Sequence, residues 1–87
     1  MLEDWTNPDI AQAKADEYGL TLYRAKNRTK KYMVLINGRV TNFGAMGYED
    51  FTFHGDEKRR AAFRRRNRKW EFAPFGTPAW LSYHILW

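Results

Sequence analysis

Residues 32–43 read YMVLINGRVTNF, and the pair at their centre decides what the chain can be. A two-residue type I′ hairpin turn needs φ > 0 at both central positions, and Asn37-Gly38 meets that need at low steric cost. Its flanks, YMVLI and RVTNF, are rich in β-branched and aromatic residues. Closed across the turn, they predict antiparallel strands over roughly 31–36 and 39–43. Upstream, LTLYRA alternates Leu20 and Leu22 against Thr21 and Tyr23, and KNRTKK is a polar turn. A strand over about 20–25 therefore completes a three-stranded meander.

Outward on the N-terminal side, NPDIAQAKADEYG carries the signals of a short helix. Asn7 is its N-cap, Pro8 its first helical residue, Asp9 lies in the first turn and Gly19 stops it. Ile10, Ala11, Lys14, Ala15 and Tyr18 fall near one face. Outward on the other side, Gly44 and Gly47 bracket a turn out of the third strand, and YEDFTF fits either a short fourth strand or an extended arm. DEKRRAAFRRRNRKW contains no Pro or Gly and starts with two acids, so a helix of about four turns is expected there. Pro74, Gly76 and Pro78 then interrupt regularity before AWLSYHILW, which suits a short final helix. The class is α+β, a single domain over 1–87: a small three- to four-stranded antiparallel sheet with an N-terminal helix, an Arg-rich helix and a short C-terminal helix.

With 87 residues the chain can bury one core only, and its 17% aromatic content, four tryptophans included, compensates for the short length. There is no cysteine, which removes disulfides, thiolate nucleophiles and Cys-based zinc sites together. With only His54 and His84, a three-ligand metal site would need carboxylates, and neither a metal nor another cofactor is expected. No apolar run approaches a membrane span, and the acidic start MLEDWTNPD has the wrong charge for a signal or transit peptide. Action in the compartment of synthesis, or inside an assembly, is the expectation. The net charge of +5 is unevenly spread: residues 1–18 hold Glu3, Asp4, Asp9, Asp16 and Glu17 against Lys14 alone. That asymmetry suits either an acidic helical face in water or electrostatic pairing within or between chains.

The Arg-rich helix concentrates the functional question. Projection at 100° per residue puts Phe63 and Trp70 on one bearing, as a narrow anchoring stripe. Lys58, Arg65, Arg68 and Lys69 cluster opposite, with Arg59 and Arg66 at one edge of the stripe and Arg60 and Arg64 at the other. Eight cations among residues 58–69 repel one another, and an acidic partner relieves that repulsion. Phosphate suits them, because guanidinium presents a planar fork of donors and each neutralised phosphate releases a counterion. Candidate nucleic-acid ligands are Lys58, Arg60, Arg64, Arg65, Arg68 and Lys69. Against this stands packing: Arg59 or Arg66 can lay its stem over Trp70, Phe72 or Phe75. Base reading is disfavoured, since Asn67 is the only short amide on the helix. Two rings do not make a membrane-binding face.

Other groupings carry less chemistry. His54 near Asp50 and Asp56 reads as a capping or bracing histidine, lacking a nucleophile or metal beside it. Ser82 and His84 diverge on a helix, Gly44 and Gly47 lack a phosphate-loop context, and Glu49 and Asp50 would face opposite ways on a strand. An enzyme is not expected, nor a small-molecule substrate. WLSYHILW is strongly apolar, and it either packs under the sheet or forms a patch, with Trp80, Tyr83 and Trp87 as partner-binding residues, that another protein covers.

Residues 19–87 also resemble a family of small basic proteins of unassigned function from large DNA viruses of algae and protists. The likeness rests on a Lys-Lys-Tyr strand (Lys30, Lys31, Tyr32) and a Phe-Gly-Ala-x-Gly-Tyr-x-Asp-x-Thr turn running from Phe43 to Thr52. It continues with His54 and Asp56 ahead of the arginine helix, Arg59 and Trp70 within it, and an ending of Leu81-Ser82 and Ile85-Leu86-Trp87. EFAPFGTPAW departs from that pattern. The resemblance implies a setting rather than a chemistry: a viral protein carried in the virion, present in host cytoplasm or nucleus during assembly. Two functions follow as expectations, a small basic viral structural protein binding nucleic acid through phosphates without sequence specificity, or a minor capsid protein bridging larger shell proteins.

Overall fold

A computed structural model describes residues 1–87. Asn37 and Gly38 take φ of +51° and +77°, so both turn positions are left-handed as a type I′ hairpin requires. The turn joins β2 (Lys30–Ile36) to β3 (Arg39–Ala45), and β1 (Tyr23–Arg24) pairs along the other edge of β2, giving the order β1-β2-β3 with Ile36 opposite Arg39 and Tyr32 opposite Phe43. The first strand is only two residues long, against the six expected. Gln12 explains the difference: its side chain accepts from Leu22 N at 2.8 Å and donates to Leu20 O at 3.0 Å. Those backbone groups are thereby satisfied from the preceding helix rather than by a sheet neighbour.

That helix, α1 (Pro8–Asp16), starts where predicted. Asn7 Oδ1 accepts from the amides of Asp9 and Ile10, and Pro8 occupies the first position. Its buried face is narrower than the sequence stripe. Ala11 and Ala15 are fully buried, whereas Ile10 is 46% exposed, because two methyl-sized side chains let the backbone approach the core closely.

YEDFTF is neither strand nor extended arm at its end. Residues 51–54 form a helical turn, α2 (Phe51–His54), with the Asp50 carbonyl accepting from Phe53 N and His54 N. Gly55 at φ +62° then redirects the chain into α3 (Glu57–Arg66). The sheet consequently has no fourth strand. A buried polar network accounts for the turn. Lys31 Nζ meets Asp50 Oδ2 at 3.0 Å with both side chains about 98% buried, and the Thr52 hydroxyl donates to the other carboxylate oxygen. Thr6 Oγ1 bonds Thr52 Oγ1 at 3.0 Å and the Tyr32 hydroxyl at 2.9 Å. Pulling Asp50 to Lys31 and Thr52 to Thr6 is incompatible with an additional strand at that point. Burial lowers the Lys31 pKa although Asp50 opposes the shift.

After α3 the chain tightens into a 3₁₀ segment, Arg68–Phe72, so the basic helix is shorter than four turns. Asn67 ends it, donating from Nδ2 to Phe63 O at 3.1 Å. Thr77 then caps α4 (Pro78–Leu81), which runs into a single π turn, Ser82–Leu86. Trp80, Leu81, Tyr83, Ile85 and Leu86 are buried, most of them against Tyr32, Val34 and Phe43 of the sheet. Gly44, at φ +82°, is a close-approach point: a Cβ there would lie 2.9 Å from Leu86 Cδ1 and 3.1 Å from Lys31 Cβ. The WLSYHILW segment is thus the missing core layer, and the reading of Trp80 and Tyr83 as partner-binding residues is corrected. An antiparallel sheet with helices on it makes the fold α+β.

Candidate nucleic-acid interface

Helix α3 begins on a side-chain cap. Asp56 Oδ1 accepts from Lys58 N at 2.9 Å and Arg59 N at 3.2 Å, and Glu57 adds negative charge at the positive end of the helix dipole. None of its ten residues is fully buried. It is held from one side by rings: Phe63 stacks on Trp87 at 4.2 Å with planes 4° apart, and meets Trp70 edge-on at 5.9 Å. The Phe63–Trp70 anchor therefore forms, though Trp70 reaches it from the 3₁₀ segment.

The predicted cations separate into two groups. Lys58, Arg65, Arg68 and Lys69 are exposed and take part in no salt bridge, as is Arg66 beside them. Arg60 and Arg64 are engaged by the protein itself. Arg60 reaches Glu57 at 2.8 Å and lies 4.3 Å from the centre of the Phe51 ring. Arg64 donates to Trp87 O at 2.9 Å and sits 5.3 Å from the Tyr83 ring. Including these two among free phosphate ligands is corrected, since Arg60 already lies over Phe51 of α2 and Arg64 braces α3 against the C-terminal segment. The structural arginines are thus on the opposite edge of the stripe from the expected pair, Arg59 and Arg66. Arg59 instead pairs with Glu49 at 2.9 Å.

The acids of residues 1–18 do not neutralise this surface. Their one salt bridge is Asp4 with the chain's own amino terminus. Lys14 in fact adds to the positive side: its pKa is lowered by burial first and then by Arg64 and Arg60 nearby.

His54 behaves as a cap. Its Nδ1 accepts from Asp56 N at 2.9 Å, and its ring lies 5.2 Å from that of Trp87. Burial, with Arg59 adding to it, lowers its pKa, which favours the neutral ring that an accepting Nδ1 requires. His84 Nε2 lies 3.1 Å from Glu71 O and its ring 4.5 Å from that of Trp80. No group of three or more His, Asp or Glu side chains converges to hold a metal ion, and no helix is long and apolar enough to cross a membrane.

Sequence reasoning missed a groove of about 550 Å³ along the Arg59–Arg66 edge of α3. One wall is Phe63, Trp70 and Trp87, the floor is Phe43, Gly44 and Leu86, and Lys30, Arg59 and Arg66 stand at the rim with Tyr48. Its only sequence signal is aromatic residues interleaved with cations on both sides of the glycine turn.

An α+β domain that displays an unpaired cationic face on a helix held by aromatic rings is the class of protein these features define. Residues 20–67, from the start of the meander through α3, match the family of unknown function DUF5754, and the chain belongs to that family. No curated protein and no solved structure matches it.

Proposed function

We propose that this is a small basic viral structural protein that binds nucleic acid through phosphates, without sequence specificity, at Lys58, Arg65, Arg66, Arg68 and Lys69. The carrying observation is that these five exposed cations, crowded into α3 and the turn after it, have no acidic partner within the protein. Bringing polyanion phosphates against them relieves their mutual repulsion and releases condensed counterions. The viral setting rests on the resemblance over residues 19–87, and the virion is the expected location.

Duplex-binding titrations across salt test it. Five engaged phosphates give a log K against log salt slope of about −4.5, and Arg65→Gln with Arg68→Gln reduces its magnitude by about 1.8. Arg60→Gln leaves it nearly unchanged. A slope near zero in the wild type, or one untouched by the double substitution, overturns the reading and favours the minor capsid role, in which α3 grips an acidic protein surface. Of the three aromatics that alternative would use, Trp80 and Tyr83 are buried in the core, while Trp87 stays part-exposed.

A further inference from the structure

We infer that the groove beside α3 receives an unpaired base of a single-stranded nucleic acid, its phosphates lying on Arg66 and Lys30. This rests on the proposed nucleic-acid function and adds to it a preference for strands whose bases are free.

Shape, wall chemistry and charge point to one occupant. A volume of about 550 Å³ falls within the roughly 300–1,000 Å³ of sites that enclose small organic groups. Its wall is an aromatic cluster, Phe63 between Trp70 and Trp87, and Tyr48 stands at the rim 71% exposed. Large exposed rings next to cations are the components of a stacking platform for bases, which is sequence-tolerant because every base has a π-face. The charge selects the same ligand. Glu49 is the only carboxylate lining the groove and Arg59 holds it at 2.9 Å, while Lys31 is turned to Asp50. Lys30 and Arg66, both lining the groove, are left with no acidic partner. An aliphatic segment would leave those cations unmatched, and an acidic peptide would leave the exposed Tyr48 ring without a stacking partner. A nucleotide satisfies both. The groove also adjoins the exposed cations of α3, since Arg66 belongs to both surfaces, so a strand tracked by the helix can place a base in the groove.

The experiment compares three fluorescently labelled probes at one ionic strength: an oligothymidylate, a strand of equal length built from abasic sites, and a duplex. Base-bearing single strand is expected to bind on the order of tenfold more tightly than the abasic strand, with quenching of tryptophan fluorescence. Tyr48→Ser, at a position too exposed to support the core, should erase most of that preference while leaving abasic affinity unchanged; Trp70→Leu, checked for folding by circular dichroism, should do the same. Equal binding of the base-bearing and abasic strands overturns the inference while the phosphate reading stands. Absence of binding to all three overturns both, and a preference that survives both substitutions overturns the assignment to this groove.

Discussion

Lys31 and Asp50 are the residues on which the fold's tolerance to change turns. A buried ion pair has lost its hydration on both sides, so removing one member strands the other at a cost of roughly 3–5 kcal/mol, whereas exchanging both for apolar groups is often nearly neutral. Asp50→Leu and Lys31→Met are each expected to cost about that much in urea denaturation, and the two together to recover most of it; additive losses in this double-mutant cycle would contradict the pairing. Tyr32, in the same network, makes a pH prediction. Burial, with Asp50 and Glu3 adding to it and the Thr6 hydrogen bond opposing, pushes its phenol from 10.0 up to about 12. The folded chain therefore keeps a proton that the unfolded chain releases. Its stabilisation, about 3 kcal/mol for two pKa units, is complete below pH 10 and lost as pH rises through 12. Tyr83 shifts in the same direction. Lys31, its pKa lowered from 10.5, contributes the opposite slope below that pH, so the diagnostic fall lies above it. Urea midpoints measured there should drop steeply in the wild type and less in Tyr32→Phe.

Helix α3 buries no residue and carries like charges along its length. Its cap matters correspondingly. Asp56→Ala removes an acceptor for two amides and should cost about 1 kcal/mol, seen as faster hydrogen exchange in α3 with little change in β2. This helix was legible because its signals are local, a capping acid and an uninterrupted run of helix formers. So were the hairpin and α1. The short β1, the helical turn at Phe51 and the groove were not, for a shared reason. Each depends on a side chain reaching across the fold: Gln12 to residues 20 and 22, Asp50 to Lys31, and Trp87 to Phe63. Periodicity places residues on faces but does not say which distant partner a face meets. The same limit explains the arginines. The wheel separated the two edges of the stripe correctly, but only tertiary packing determines that the Arg60–Arg64 edge is the one laid over rings.

For the molecule as a whole, the stretch matching the family is smaller than the unit that folds. Residues 20–67 include Tyr32, Val34 and Phe43, while Leu2, Ala11, Ala15, Trp80, Leu81, Ile85 and Leu86, seven of the ten core residues, lie outside. A peptide of 20–67 is expected to be largely unfolded by circular dichroism, and a cooperative thermal transition from it would refute the packing described. Deleting the acidic N-terminal segment to expose more positive surface should fail likewise, because Thr6 and Ala11 belong to the interior. The hairpin turn has one further consequence, for ageing. Gly38 has no side chain to shield its nitrogen from the Asn37 carboxamide, so attack on Cγ, with loss of ammonia, is sterically open and closes a succinimide. Hydrolysis then leaves an isoaspartate, which lengthens the connection by one backbone atom and introduces an anion. Stored protein should drift in isoelectric point and loosen first at the tip that aligned its strands.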